Sequence, residues 1–477
     1  MLCCTAALWA VVRGLEDGRT RWMVLAGIAV GLGFEAKMAA ALLVVPAIAV
    51  AWAWSAPRNR VRGLLAGGVA TAVVGLAWPV LVWLTPAADR PWVSGTSDNS
   101  IWSLILGYNG LGRLFGQDGG PGGMGGGTMF GGEPGLLRLF IESLGGQAGW
   151  LLGVALVGGL ALLAATRLRR TDPRTGWLLA VGGAALVTAV AFSRAEGIFH
   201  PYYVAQLAPP AAALVGAAVA ATRGSRLVAP AAILAGVAAE LMILGAGAAW
   251  VAAAGVGAAV LLASDVLADR ARTWVAVAAV AALLAVPASW SVQTLGYAAS
   301  GTFPAGGPAT TTAGPGGGGP GGGGPGGGGP GGGGPGGGGP GGGGPGGSGP
   351  GGGGGNMFGG DTSTVSAALE YAAADGGGTI AVSSQSGAAG SLIASGADVA
   401  AIGGFSGRES QVSIDWLADA VQDGRIRYVL TEGADGLRGD DRIGSSEVMA
   451  AVEAVGAPTS VDGLYDLQGL ADALRSL

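Results

Sequence analysis

Long apolar runs alternate with short clusters of arginine along the first 290 residues of this chain. Ten apolar runs, most of them near the length that a bilayer requires, occupy residues 1–12, 22–34, 38–54, 63–84, 149–165, 177–192, 203–221, 228–245, 247–264 and 273–290. Arginine clusters follow every second run, at residues 13–21, 58–62, 167–174, 223–226 and 270–272. Because Lys and Arg accumulate in the cytoplasmic loops of membrane proteins, the alternation predicts a polytopic membrane protein whose five arginine-rich loops lie inside.

The composition indicates the same class of protein. Half of the 477 residues are hydrophobic and 12% are charged, which leaves too little polar surface for a soluble protein of this length. The net charge is −5, and the basic residues lie at the borders of apolar runs, so no nucleic-acid partner is expected. The two cysteines, Cys3 and Cys4, are adjacent, which excludes a disulfide framework. No cofactor and no metal site is predicted.

The distribution of positive charge predicts the orientation. Of 25 Lys and Arg residues, 14 lie in the five inside loops. Loops 85–147 and 193–202 are therefore expected outside, as is everything after residue 291. We expect a multi-pass protein of the plasma membrane with an extracytoplasmic C-terminal domain. The run 1–12 is too short to span a bilayer and lacks the features of a signal peptide, so we also expect the chain to begin partway through a longer product.

Three regions of different composition divide the chain. Residues 1–300 form the predicted transmembrane helical domain. Residues 301–360 are rich in glycine and proline, offer almost no side chain to bury, and are predicted to be a flexible linker. In residues 361–477 charges return and β-type runs alternate with helix-type runs, which predicts a small α/β domain with a mainly parallel sheet. The expected strands are 379–383, 399–403, 427–431 and 460–467, and the expected helices are 363–374, 386–395, 413–423, 445–455 and 468–476.

The segment 192–203 (FSRAEGIFHPYY) is the most specific candidate site. It lies between two apolar runs on the predicted outer side and contains Arg194, the single histidine His200, and Tyr202 and Tyr203. Side chains of these types can all hold a lipid phosphate at a membrane surface. The alternative is an interfacial belt, in which the tyrosines lie at the level of the headgroups and the arginine reaches out to water.

Two further outer segments carry candidate residues. Glu35 and Lys37, the single lysine, interrupt the apolar runs in GFEAKM, and ionisable groups at membrane depth often mark a substrate path. Residues two apart do not meet on one helix face, so an internal salt bridge is not expected, and a turn that exposes both to water is the alternative. Loop 85–147 is long enough to be a lid or a substrate-binding element. Its candidate residues are Tyr108, Asn109 and Arg113.

Several phrases occur in a recognisable order along the chain. In the membrane region they are LEDGRTRWMVLAGIAVGLGFEAKMAAALLVVPA, NSIWSLILGYNGLGRLFG, GGEPGLLRLF with GGQAGWLL, and SRAEGIFHPYYVAQLAPPAAALVG; in the C-terminal region they are VAAIGGFSGRE and DGRIRYVL. Together they resemble the actinobacterial branch of family 39 glycosyltransferases, which are mannosyltransferase-like membrane enzymes related to protein O-mannosyltransferases and aminoarabinose transferases. The C-terminal phrases are similar to the extracytoplasmic domain appended in this branch.

This resemblance implies a GT-C type helix bundle with a reaction chamber on the outer face, and a sugar donor carried on a polyprenyl phosphate. The leaving group would be a lipid phosphate, whose developing charge needs a cation and hydrogen-bond donors. Residues on the predicted outer side that suit this role are Lys37, Arg194, His200, Tyr202 and Tyr203. The family's catalytic carboxylate lies in the first outer loop, just after the first transmembrane helix. No carboxylate here occupies the matching place, so the catalytic residue is expected upstream of this chain. The chain alone is therefore not expected to have transferase activity.

We therefore predict a mainly α polytopic membrane protein with a small C-terminal α/β domain. The predicted function is a membrane glycosyltransferase that moves a hexose- or pentose-type sugar from a polyprenyl-phosphate carrier to an extracytoplasmic protein, glycan or lipid acceptor. A transporter or flippase-like protein is one alternative; it predicts charges within the spans and internal repeats, whereas the charges noted here collect at the outer border. A membrane-anchored binding module is the other alternative, but a single helix would suffice as its anchor.

Overall fold

The computed structural model describes residues 1–56, 58–112, 131–196, 199–222, 225–264, 266–295, 306–308, 362–431 and 442–477. Within these ranges the chain forms a helical domain followed by a small domain built on a five-stranded sheet. The predicted fold class is thereby confirmed. Most of the predicted linker lies outside the described residues, as does the glycine-rich part of the loop at 113–130.

The helical domain is a bundle of helices joined mostly by short turns. Its helices are α1 (Leu2–Asp17), α2 (Thr20–Leu42), α3 (Val45–Ser55), α4 (Arg60–Gly75), α5 (Ala77–Leu84), α6 (Ile101–Ser103), α7 (Glu142–Ala148), α8 (Leu152–Thr166), α9 (Pro173–Arg194), α10 (Ala208–Ala221), α11 (Val228–Leu244), α12 (Ala249–Ala263) and α13 (Asp269–Thr294). Helix α6 continues as a π-helix, Leu104–Leu111, and α10 is preceded by a 3-10 helix, Pro201–Leu207.

Among the described residues, five helices are long and apolar enough to cross a membrane, or up to seven if each bent pair forms one span. The bent pairs are α4 with α5, at 43°, and α7 with α8, at 59°. The first bend has a local cause, because Pro79 has no N–H to donate to the carbonyl of Gly75. Between α11 and α12 the chain folds back at Gly245, whose φ is 56°, and Gly255 then packs against Val237. The apolar runs 228–245 and 247–264 therefore form a hairpin.

Glycines allow neighbouring helices to approach closely. A Cβ atom on Gly27 of α2 would collide with the backbone oxygen of Gly67 on α4, and one on Gly153 of α8 would collide with the backbone of Ala235 on α11. Inside a bilayer the hydrophobic effect does not draw helices together, so close van der Waals packing through small residues takes its place. The abundance of Gly and Ala in the apolar runs therefore explains how the bundle holds together.

The C-terminal domain has strands β1 (Ile380–Val382), β2 (Val399–Ala401), β3 (Tyr428–Leu430), β4 (Ala457–Pro458) and β5 (Leu464–Asp466), in the order β2-β1-β3-β5-β4. Its helices are α14 (Thr362–Ala374), α15 (Gln385–Ser395), α16 (Ile414–Gln422), α17 (Ser446–Val455) and α18 (Ala471–Arg475). Nine of these ten elements, all except β4, overlap segments that the sequence predicts. The side chains of β1 and β3 are buried, which places the centre of the sheet inside the domain core.

The sheet is mixed, which corrects the expectation of a mainly parallel one. β1 pairs in parallel with β2 and with β3, whereas β5 runs antiparallel to both β3 and β4. The chain returns from β4 to β5 through a short turn in which Gly463 has a φ of 73°, and so short a connection joins only antiparallel strands. The two-residue strand β4 is too short to produce a hydrophobic alternation, so the sequence pattern does not reveal it.

The C-terminal domain packs against the loop that follows α5. The backbone N–H of Gly95 donates a hydrogen bond to the carbonyl of Glu409 at 2.8 Å. The guanidinium carbon of Arg442 lies 5.8 Å from the ring centroid of Tyr108. The loop is itself held together by Asn99, whose side-chain oxygen accepts from Arg90 and from the backbone of Val93, each at 2.8 Å. This loop, which belongs to the helical domain, thus contacts the C-terminal domain directly.

Candidate functional site

A cavity of about 550 Å³ opens where α2, the π-helix, the end of α9 and the 3-10 helix meet. Its walls are largely apolar, and a few polar side chains from separate elements converge on it, which is the usual make-up of a small-molecule site. The polar lining residues are Glu35, Lys37, Asn109, Tyr202, Tyr203 and Gln206. Five of them, all except Gln206, belong to the candidates that the sequence indicates.

Lys37 lies at an interruption of α2. Its backbone has a φ of −159° and a ψ of 80°, which breaks the helix one turn before it ends. The ammonium nitrogen lies 3.8 Å from the ring centroid of Tyr203 and 5.1 Å from that of Tyr202. A cation at these distances is attracted by the negative faces of the rings. The break therefore turns the lysine toward the segment that the sequence marks as most specific.

His200, Tyr202 and Tyr203 form one aromatic cluster. The ring centroids are 5.3 Å apart for His200 and Tyr202, 5.1 Å for His200 and Tyr203, and 5.0 Å for the two tyrosines. Pro201 begins the 3-10 helix that carries both tyrosines, and its fixed φ suits a first helical position. The two tyrosines line the cavity, whereas His200 packs against their rings and is not part of the lining.

Glu35 has a structural partner at the bend between α4 and α5. Its carboxylate accepts a hydrogen bond from the backbone N–H of Trp78 at 3.1 Å. An acidic group is favoured at the start of a helix, where N–H groups have no helical acceptor. Glu35 and Lys37 thus both line the cavity, and the hypothesis that they mark a substrate path stays a prediction. The helix is interrupted at Lys37, whose side chain is exposed, so the alternative of a water-exposed turn stays open.

Gln206 lines the cavity and is absent from the sequence predictions. Its amide nitrogen donates to the carbonyl of Ala40 at 2.8 Å and lies 3.8 Å from the sulfur of Cys4. This bond ties the 3-10 helix to the end of α2, just beyond the break at Lys37. The available signal was a single amide residue within the otherwise apolar phrase YYVAQLAPP.

The remaining predicted residues divide between the cavity and its surroundings. Asn109 lines the cavity, with its amide nitrogen 3.7 Å from the sulfur of Met38. The neighbouring Tyr108 points toward Arg442 instead. Arg194 is exposed at the end of α9 and is not among the described lining residues. Arg113 lies outside the described residues.

Arg138 anchors the segment that carries the aromatic cluster. Its side chain is only 2% exposed, and its guanidinium donates to the carbonyls of Phe192, at 3.0 Å, and Ala195. It also lies 4.6 Å from the ring centroid of Phe199. Burial lowers the pKa of Arg138, and the nearby carboxylate of Glu133 opposes this effect. Sequence reasoning missed this role because a single arginine in a long loop carries no local sign of burial.

Glu240 is a second residue that the sequence analysis overlooked. It lies in α11, is fully buried, and neither carboxylate oxygen has a hydrogen-bond partner within the described part of the chain. The signal was available, since it is the one acidic residue of the apolar run 228–245. It does not line the 550 Å³ cavity. The described residues also contain no group of three or more His, Cys, Asp or Glu side chains placed to hold a metal ion.

Comparison with known proteins identifies two regions of the chain. Residues 1–83 match the family model described as Dolichyl-phosphate-mannose-protein mannosyltransferase, and residues 365–455 match the model described as Putative mannosyltransferase YkcB-like, C-terminal. Two similar proteins come from Bacillus subtilis (strain 168). Putative mannosyltransferase YkcB is 29% identical over 63% of this chain and 57% of its own length, and Putative mannosyltransferase YycA is 27% identical over 43% and 42%.

The chain thus spans about half the length of these curated relatives. No solved structure matches it. The two family models cover the start of the helical domain and most of the C-terminal domain, in the order that the resemblance predicts. Taken with the membrane-length apolar helices, these matches show a multi-pass membrane protein that is similar, in its first and last parts, to mannosyltransferase-like glycosyltransferases.

Proposed function

We propose that this chain binds a polyprenyl-phosphate-linked sugar, with mannose as the favoured sugar, and serves its transfer to an acceptor outside the cytoplasm. The observation that carries the proposal is the position of Lys37. The single lysine of the chain lies at a helix break, in a largely apolar cavity, beside two tyrosines. Apolar walls suit the isoprenoid carrier, and the lysine with the hydroxyl and amide donors around it suits a phosphate. The names of the matching family model and of the two relatives support the choice of sugar.

The chemistry of transfer assigns roles to five of the six polar cavity residues. The bond between the sugar carbon and the phosphate oxygen breaks, and the departing phosphate keeps the electron pair. Lys37 stabilises that negative charge, while Tyr203 and Tyr202 donate hydrogen bonds as it develops. Asn109 and Gln206 contact the polar parts of the sugar. The acceptor hydroxyl must lose its proton to a base, and we assign no residue of this chain to that step.

The orientation of the site follows from the arginine pattern. With the five arginine clusters inside, the cavity opens on the extracytoplasmic face. The C-terminal domain, which contacts loop 85–112, then lies on the same side of the membrane. The acceptor would then be a protein, glycan or lipid of the cell envelope. Labelling single cysteines at positions 200 and 400 with a membrane-impermeant reagent tests this arrangement, because both positions must react from the same side.

Binding of polyprenyl phosphate to the full chain in lipid nanodiscs tests the proposed function. Lys37→Met is expected to weaken this binding at least about tenfold, which corresponds to the loss of one charge-assisted contact. Polyprenol of the same length, which lacks the phosphate, should bind both forms equally. Arg194→Met is the matched control, since this arginine lies on the same predicted face but outside the described cavity lining, and it should leave binding unchanged.

Two outcomes would contradict the proposal. One is binding of polyprenol as tight as that of polyprenyl phosphate, which would leave the cavity without a phosphate site. The other is a full effect of Arg194→Met with none of Lys37→Met, which would move the phosphate to the exposed end of α9 and favour the interfacial belt.

One observation favours the alternative of a transporter. Glu240 is an ionisable group inside an apolar helix, and such groups commonly mark ion or proton paths. A transport path also requires a polar cavity around the group, whereas Glu240 is fully buried and neither carboxylate oxygen has a hydrogen-bond partner among the described residues. Uptake or counterflow of polyprenyl phosphate in proteoliposomes that depends on Glu240 but not on Lys37 would support transport instead of transfer.

A further inference from the structure

We propose that the C-terminal domain positions Asn109 in the cavity, through a contact of Glu409 and Arg442 with the loop segment that carries Gly95 and Tyr108. This inference rests on the proposed function for the identity of the ligand and adds a role for the C-terminal domain. It joins two phrases that the site itself does not use, PWVSGTSDNS in the loop and VAAIGGFSGRE in the domain.

The first contact is made by the backbone. The N–H of Gly95 donates to the carbonyl of Glu409 at 2.8 Å. Gly95 has a φ of 88°, in the region that favours glycine. A Cβ at this position would lie 3.4 Å from the ring of Tyr108, so the ring lies directly against the glycine. The domain therefore holds the surface on which Tyr108 rests.

The second contact is made by charged side chains that the domain itself holds in place. The carboxylate of Glu409 accepts from the backbone N–H of Ser406 at 2.6 Å, and its side chain is only 9% exposed. A nitrogen of Arg442 lies 3.6 Å from this carboxylate, with the arginine side chain 12% exposed. The guanidinium carbon in turn lies 5.8 Å from the centroid of the Tyr108 ring. A cation shielded from water attracts an aromatic face more strongly than an exposed one.

The π-helix transmits this contact to the cavity. Tyr108 and Asn109 are consecutive residues of Leu104–Leu111, and consecutive side chains on a helix point in different directions. Tyr108 faces the domain while Asn109 faces the cavity beside Met38. π-helical segments within helices frequently accompany functional sites. Tyr108, Arg442 and Glu409 are thus positioning residues, and Asn109 is the residue they position.

Two measurements on the full chain in nanodiscs test the inference. Hydrogen exchange of the amides in residues 101–111 reports the order of the π-helix, and binding of polyprenyl phosphate reports the cavity. Arg442→Ala and Tyr108→Leu should each speed this exchange and weaken binding about three- to tenfold. Arg442→Lys, which keeps a cation, and Tyr108→Phe, which keeps the ring, should largely restore both. Arg425→Ala is the matched control, because that arginine lies over Trp416 in the same domain, at 5.7 Å, away from the loop.

The outcomes separate this inference from the proposed function. Unchanged exchange in 101–111 with Arg442→Ala and Tyr108→Leu would overturn the positioning role. Faster exchange in the variants, in a chain whose wild type does not bind polyprenyl phosphate, would sustain the positioning role and reject the ligand. Exchange in β1 and β3 reports whether Arg442→Ala leaves the domain folded. If it does not, Tyr108→Leu decides the question, since Tyr108 belongs to the loop and not to the domain.

Discussion

Replacing Arg138 tests how the site is held together. Its guanidinium donates to the carbonyls of Gly131, at 2.7 Å, Phe192, at 3.0 Å, and Ala195. Arg138→Met removes all three bonds, and each hydrogen bond from a charged donor contributes about 1.5–3 kcal/mol. Burying a guanidinium is itself unfavourable, as its lowered pKa indicates, and the neutral variant is relieved of that cost. We expect a net loss of about 2–4 kcal/mol in the free energy of unfolding.

Chemical unfolding of the full chain in detergent measures this loss. Arg138→Lys is the informative companion, because it keeps the charge but cannot reach the three carbonyls with one planar group, and it should recover less than half of the loss. Hydrogen exchange in residues 192–204 should rise in Arg138→Met, since these residues carry the anchored segment and the aromatic cluster. A loss below about 1 kcal/mol, with exchange unchanged, would refute the anchoring role.

Two further predictions concern buried groups elsewhere in the chain. Glu240→Leu should raise the free energy of unfolding by about 1–3 kcal/mol, because it removes a buried carboxyl that has no partner among the described residues; a loss of stability on chemical unfolding would mean that the carboxyl has a partner. Burial, with its hydrogen bond to Asp375, raises the pKa of Tyr428, so the unfolded chain releases this proton at a lower pH than the folded domain. The stabilisation that this raised pKa gives to the folded domain is complete below about pH 10 and is lost as the pH rises above it. Resistance of residues 362–477 to brief subtilisin digestion of the full chain should therefore fall above that pH. The fall should be less steep in Tyr428→Phe.

The elements of the fold were largely readable from the sequence. Apolar runs and arginine clusters are local features, so the helical domain, the break between its apolar runs near Gly245 and the α/β alternation of the C-terminal domain all appear in the order of residues. The direction of β5 was not readable, because it depends on a two-residue strand, β4, that leaves no pattern. The bend at Lys37 was anticipated only as an interruption, since its geometry depends on the packing of α2.

The site was readable in part. Lys37, Asn109, Tyr202 and Tyr203 were candidates because polar residues in apolar surroundings are conspicuous. Arg194 looked equivalent to them, yet the end of α9 leaves it exposed outside the described lining. Which polar residues face one cavity depends on helix rotation and on where each helix stops, and neither is encoded in composition.

The order of residues alone determined that this chain is a multi-pass membrane protein with a separate C-terminal domain, because hydrophobicity and charge act through local segments and need no knowledge of contacts. Tertiary structure decided which distant segments meet. Gln206 bonds to Ala40 across 166 residues, Lys37 lies against Tyr203, and Gly95 reaches Glu409. Such contacts arise from helix packing and loop closure, in which many weak interactions act together, and no single segment of sequence carries them.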